Sequence, residues 1–415
     1  MRAAVAVALL LLLLTLPVGA RVRIDITSPL GTFPIAISEL DGPYGKELSE
    51  TITEDLAYTG LFQPIERAAF IEPPHAPFNP GNWRPLGAEA VLKGTVRSSG
   101  KEMTVTVSLY DLSEGTAILR KQYTADAALI RPIAHSIAND IHQRLTGRRG
   151  VFRTRIAFVA EEDGQRRLCL MDWDGGRIKR LGPAGAVLLT PHWSRDGMRL
   201  VYSARRGGLW GIHILDLGSM KETSAHSSKS TLLAGDFFPD PDAFAFSSSE
   251  EGSPDIYTYR LSKGRSNRLT SSRGIEVSPS VSPDGKTIAF VSDMGGSPQL
   301  YTMDGDGYNI KRITFEGAYN TSPSWSPKGD MIAFVGNRGG KNRIFIAAPD
   351  GSGPTVLTVK GNNEDPDFSP DGRFIVFSSD RDGEKGIYIM RADGGEQKRL
   401  TPKGLKAYGP RWSPE

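Results

Sequence analysis

Apolar positions recur along this chain with one rhythm up to about residue 149 and a different one beyond it. In the second stretch a short apolar run starts at Ile156, Leu200, Phe244, Ile288, Ile332 and Ile375, in steps of 44 residues and a last step of 43. A second run starts at Leu168, Ile212, Ile256, Leu300, Ile344 and Ile387 with the same steps. A phrase of Pro, any residue, an apolar residue and Ser-Pro-Asp-Gly precedes the first run. It is clean at 279–285 and recurs around Trp193, Trp325 and Phe368. A decayed copy lies at 237–242, where Pro241 replaces the turn glycine, and the nearby segment 223–231 is Ser-rich and reads as a loop. A short Arg-apolar-Thr element follows at 268–270, 312–314 and 399–401. Each unit therefore offers four short strands, which is one propeller blade, and there are six units. The first unit lacks the phrase, while the chain's last residues carry a solitary Pro410-Arg411-Trp412-Ser413-Pro414. The C-terminal strand is thus predicted to be the innermost strand of the first blade, closing the ring without a covalent bond.

Residues 21–149 follow another grammar. Alternation over 21–27 and the run 33–37 predict strands. Leu48, Ile52 and Leu56 mark one face of a helix over 46–58, ended by Gly60. Strands are predicted at 88–97, 103–111 and 117–123, the last two as a hairpin, and a final helix carries Ile133, Ile137, Ile141 and Leu145. Four prolines between 73 and 80 mark an irregular loop. The expected fold class is therefore multi-domain, α/β plus all-β. A small two-layer α/β domain (21–149) precedes a six-bladed β-propeller (150–415) closed by the C-terminal strand.

Composition adds constraints. Arg2, the apolar stretch 3–16 and the small residues up to Ala20 form a secretory signal over 1–20, with cleavage expected after Ala20. The stretch is too short for a membrane span, so no direct membrane insertion is expected. A formal net charge of +3 gives no case for nucleic-acid binding. Cys169, the one cysteine, excludes an intrachain disulfide and is expected as a buried thiol in a strand.

No catalytic signature emerges: there is no Gly-x-Ser-x-Gly elbow, no His-Glu-x-x-His motif and no phosphate-cradling loop. The six histidines show no metal-ligand pairing, and neither a metal nor a cofactor is expected. Asp304-Gly305-Asp306-Gly307 departs from a calcium loop and reads as a hairpin turn. The tryptophans of the repeat are expected to pack between blades. Binding is expected on the varied loops of one disc face. There Glu276, Asn320, Glu364 and Tyr408, close to the inner strands, are expected to ring the channel mouth.

The junction 145–158 (LTGRRGVFRTRIAF), the Ser-Pro-Asp-Gly repeats and the terminal Trp412-Ser413-Pro414 together resemble the TolB family of the Tol-Pal envelope system. The likeness extends over the whole chain. It implies a non-enzymatic periplasmic adaptor. Its propeller face, with Glu276, Asn320, Glu364 and Tyr408, would bind Pal, the peptidoglycan-associated lipoprotein. The mature N-terminal strand, Arg21, Val22, Arg23, Ile24, Asp25, Ile26 and Thr27, would bind TolA by strand addition. Other outer-membrane proteins are further partners in this picture, and the implied role is outer-membrane integrity and inward movement of that membrane at division. The residues alone leave open a propeller module of a peptidase-like or a sugar- or peptidoglycan-binding protein.

Overall fold

The computed structural model describes residues 31–415, so the expected signal, Ala20 and the strand 21–27 lie outside the described residues. The first unit holds β1 (Phe33–Ile37), α1 (Gly45–Tyr58), β2 (Phe62–Pro64), β3 (Ala90–Ser99), β4 (Glu102–Asp111), β5 (Thr116–Asp126) and α2 (Ile130–Thr146). Its sheet runs β2-β1-β3-β4-β5, with β1 parallel to both neighbours and the rest antiparallel. Leu48, Ile52 and Leu56 of α1 and Ile133, Ile137 and Ile141 of α2 are buried with Leu92, Val105 and Val107 of the sheet. Both helices therefore cover one sheet face. The proline-rich loop covers part of the other: Phe70, Phe78 and Trp83 pack with Ala36 and Val91.

Six four-stranded sheets follow, one of them with an extra short strand. Blade 1 joins Lys406–Trp412 to Arg155–Glu162, Gln165–Asp172 and Lys179–Gly185, so the tail supplies its inner strand. Trp412 sits opposite Ile156 in that pairing. The inner strands of blades 2 to 6 are His192–Trp193, Leu232–Phe237, Glu276–Val281, Asn320–Trp325 and Asn363–Phe368.

The repeated phrases have physical work in the blades that carry them. In the Ser-Pro-Asp-Gly turn, Ser282 Oγ donates to Asp284 Oδ1 (2.7 Å) and accepts from Thr287 N (3.0 Å). The threonine of Arg-apolar-Thr accepts a strand N–H beyond the end of the short outer strand, as in Leu300 N to Thr314 Oγ1 (2.9 Å). The hairpin glycines do more than supply positive φ. A Cβ on Gly307 would stand 2.5 Å from Leu269 O of the preceding blade, and one on Gly175 would stand 2.5 Å from Leu400 O across the closing seam. Cys169 is buried in its strand, and burial pushes its thiol up to about 11.

The decayed copy does not interrupt the ring. Asp240 Oδ1 accepts Asp242 N (3.0 Å) and holds the turn that Pro241 would otherwise weaken. The Ser-rich segment expected as a loop instead forms the outer strand Glu222–Ser228 of blade 2, paired with Leu209–Asp216. Polar residues suffice there because an outer strand faces water.

Candidate functional site

The two disc faces differ. Turns between the first and second strands and between the third and fourth share one face: Gly305 N donates to Lys286 O (2.8 Å). Blade links and loops between the second and third strands share the other: Ile275 N donates to Asp293 Oδ1 (2.6 Å). The α/β domain docks on the first face. Tyr58 of α1 donates its hydroxyl to Glu396 O (2.8 Å), stacks on Phe374 at 5.5 Å, and lies 4.1 Å from Lys398 Nζ. The second face is the one left open by this docking.

The four residues expected at the mouth of that face fall into two pairs. Glu276 and Asn320 are buried inside the blades. Burial pushes the Glu276 carboxyl above its usual range. Asn320 Nδ2 donates to Gln299 Oε1 (2.8 Å) and Glu316 O (2.9 Å), pinning the blade link. Glu364 and Tyr408 instead lie half-buried and share Lys385, which pairs with Glu364 and stands 5.5 Å from the Tyr408 ring. The cause is the 43-residue step. Counting back three residues from the phrase proline gives Glu276, Asn320, Asn363 and Ala407, so Glu364 and Tyr408 sit one residue later. One residue along a strand turns the side chain to the opposite face. Asn363 repeats the pinning role, donating to Asn342 O (3.1 Å) and Lys360 O (3.0 Å).

The apolar composition of the open face has no signature in the repeat pattern. Ile275, Met294, Phe315, Tyr319 and Val359 are exposed there on consecutive links and loops, Phe315 at 71% and Val359 at 74%. Arg312 stands over Phe315 at 5.1 Å. Large apolar groups exposed on several loops of one face make that face a candidate contact surface.

The central channel is lined by the unconstrained position of each phrase: His192, Asp236, Ser280, Ser324, Asp367 and Arg411. At this polar ring cavities of about 260 Å³ and 170 Å³ meet, the larger walled by Trp193, Phe237, Val281, Trp325, Phe368 and Trp412. Asp236 of blade 3 takes His192 Nδ1 (2.7 Å) from blade 2 and Ser280 Oγ (2.7 Å) from blade 4. Burial opposes its ionisation, but His192 and nearby arginines hold its carboxyl well below the usual range. Asp367 of blade 6 accepts Ser324 Oγ (2.9 Å) from blade 5 and Trp412 N (2.6 Å) from blade 1. Burial pushes Asp367 up to about 6 despite Arg411. Trp193 Nε1 to Arg411 O (3.0 Å) and Trp325 Nε1 to Ser280 O (3.1 Å) tie the two remaining seams. Every blade-to-blade seam thus carries a hydrogen bond at the ring.

A second charged centre lies between the domains. His135 of α2 is buried with Nδ1 2.7 Å from Asp55 Oδ2 of α1, while Nε2 faces Asp174 (3.6 Å) and Asp172 (3.8 Å) on a blade 1 turn. Burial opposes protonation of His135, yet these carboxylates raise its pKa above the ordinary value. Burial pushes Asp55 up to about 6. Asp55, His135 and Asp174 have the spacing of a metal triad. Arg131 pairs with Asp174, however, and Arg177 holds Asp172 through two bonds of 2.7 Å. The carboxylates are already balanced, and a proton on the imidazole completes the balance.

Comparison with known proteins fits this architecture. Residues 142–415 match the family described as TolB beta propeller domain, and residues 22–118 match the TolB amino-terminal domain. The Tol-Pal system protein TolB of Ruegeria sp. (strain TM1040) is 36% identical over 244 residues, 53% of this chain and 55% of that protein. The protein of the same name from Roseobacter denitrificans (strain ATCC 33942 / OCh 114) is 35% identical over 194 residues, 45% of this chain and 44% of that protein. The aligned part spans about half the length of these curated relatives. The crystal structure of TolB from Acinetobacter baumannii superposes with a TM-score of 0.84 at 27% identity, covering 93% of this chain and 98% of that one.

Proposed function

Because the chain belongs to the TolB family, we propose that it works in the periplasm as a non-enzymatic adaptor of the Tol-Pal system, linking Pal to TolA. In this reading Pal docks on the open propeller face and TolA takes the N-terminal strand 21–27. The complex helps keep the outer membrane intact and draws it inward at division. The observation that carries the reading is the asymmetry of the disc. The α/β domain occupies one face, and the opposite face presents exposed apolar side chains beside the Glu364, Lys385 and Tyr408 group. Exposed apolar side chains together with charged and aromatic groups are the composition expected of a protein interface. Among the described residues no helix is long and apolar enough to cross a membrane. Of the four residues first singled out, Glu364 and Tyr408 are the ones expected to touch Pal; Glu276 and Asn320 would shape the loops around it.

Purified Pal and the periplasmic part of TolA provide the test. Replacing Glu364 and Tyr408 by alanine, or Phe315 and Tyr319 by alanine, should weaken Pal binding by at least about tenfold. Deleting 21–27 should abolish TolA binding and spare Pal. Unchanged Pal affinity in both double variants would reject the face, and loss of both partners on the deletion would reject the separation of sites.

A further inference from the structure

A cleft of about 340 Å³ opens where the linker after α2 meets the turns of blades 5 and 6. Its walls carry five cationic side chains, Arg148, Arg149, Lys328, Arg373 and Arg391, against two carboxylates, Asp371 and Asp393. The carboxylates do little to neutralise them. Asp371 is committed to its own turn, accepting Ser369 Oγ (2.6 Å) and Arg373 N (3.0 Å). Asp393 lies 3.7 Å from Arg391 Nε and is 70% exposed. Among the described residues Arg148, Arg149, Lys328 and Arg373 form no ion pair, and the Arg373 guanidinium donates only to Thr59 O (3.3 Å). Arg391 Nε is buried with no hydrogen-bond partner. Burial lowers the Arg373 pKa; Asp371 opposes the shift, and Arg148 and Arg391 add to it. The pair Arg148 and Arg149 belongs to the junction motif, and no strand, helix or core contact accounts for two adjacent exposed arginines there.

We propose that this interdomain cleft binds a phosphate-type oxyanion, held by Arg148 and Arg149 from the linker and by Arg373, Arg391 and Lys328 from the propeller. Guanidinium forks match phosphate oxygens two at a time, and a dianion offsets the cationic excess better than a single carboxylate does. The anion is either free phosphate or the phosphate of a larger molecule such as a lipid headgroup. Bound there, it would bridge the two domains.

Calorimetric titration of the full mature protein with inorganic phosphate, against chloride at matched ionic strength, tests the site. Saturable binding is expected, with a rise in melting temperature that follows phosphate concentration. The variant Arg148→Gln/Arg149→Gln changes only exposed side chains and should lose at least about tenfold in affinity while melting normally without phosphate. Arg373→Gln, which also loses the Thr59 bond, should lose binding as well. Flotation with phosphatidylglycerol vesicles separates the sources. Binding that inorganic phosphate displaces assigns a headgroup, and no flotation assigns the free ion. Phosphate indistinguishable from chloride, equal affinity in the Arg148/Arg149 variant, or tighter binding of an oligoglutamate peptide than of phosphate would overturn the proposal.

Discussion

His135 shows how one residue can make the meeting of two domains depend on pH. Its ring faces Asp55 of α1, Asp172 and Asp174 of the blade 1 turn, with Arg131 and Arg177 on the outer sides of those aspartates and Lys398 nearby. In the folded protein both His135 and Asp55 are shifted upward, His135 by the carboxylates around it and Asp55, to about 6, by burial. A raised folded pKa favours the protonated form of either group. The stabilisation is present in full below the unfolded value and is lost as pH rises through the folded one. Both groups therefore act in the same direction: the Asp55 share is lost as pH rises from 3.8 to about 6, and the His135 share as pH rises from 6.5 through its raised value. His135→Gln removes the basic partner from a buried carboxylate, which costs about 3–5 kcal/mol in comparable settings. Thermal melts of both proteins between about pH 5 and pH 9 check this: the wild-type advantage should be largest at the acid end and narrow steadily. A gap independent of pH would mean that the ring does not titrate with docking.

At the scale of the element, the tail strand decides whether the ring closes. Lys406–Trp412 gives blade 1 its inner strand, and its atoms complete two seams, Trp412 N to Asp367 and Arg411 O to Trp193. Ser413 adds a bond in each direction with Arg155, donating N to its O (2.8 Å) and accepting its N (2.9 Å). Removing residues 410–415 should bare the start of the Arg155–Glu162 strand, where Ile156 and Ala157 lose their partners, leave the buried Asp367 carboxylate without its backbone donor, and lower the melting temperature by about 10 °C or more. Size-exclusion chromatography should show self-association of the shortened protein, and a monomer of unchanged melting temperature would contradict the closing role. The strand was legible because each blade repeats the same chemistry at the same spacing, so a solitary phrase at the end completes the incomplete unit at the start. The channel ring was illegible for the complementary reason. Its six positions carry His, Asp, Ser, Ser, Asp and Arg, chosen to satisfy one another across blades and therefore not one residue repeated from blade to blade. The one-residue shortening before blade 6 hid the equivalence of Asn320 and Asn363 and brought Glu364 forward in its place. Exposed Phe315 and Val359 gave no signal either, since an apolar loop residue reads as core until the fold leaves it uncovered.

The molecule as a whole is two domains sharing one core. Buried residues of α1, α2, β1, β3 and β4 form a single apolar cluster with Phe158, Trp173, Phe374, Ile387 and Trp412 of blades 1 and 6. The docked surface includes both blades of the closing seam, so the α/β domain and the ring closure support each other: Tyr58 stacks on Phe374, and Phe374 stacks on Trp412 at 6.3 Å. A domain contact built this way should make unfolding cooperative across the whole chain, which separate domains joined by a polar interface do not achieve. Tyr58→Ala tests it without disturbing either domain's own sheet. The change removes the stack, the bond to Glu396 O and the ring beneath Lys398, at a cost of about 3–5 kcal/mol by analogy with buried aromatic truncations. Scanning calorimetry of the unaltered protein should give one transition. In Tyr58→Ala that transition should divide, the α/β domain melting first and the propeller later, with the propeller's own melting point also lowered because Phe374 and Trp412 lose their cover. A single transition merely displaced downward would show that the two domains remain one cooperative unit through the rest of the shared core. A division with the propeller unaffected would show that ring closure does not draw on the docked domain.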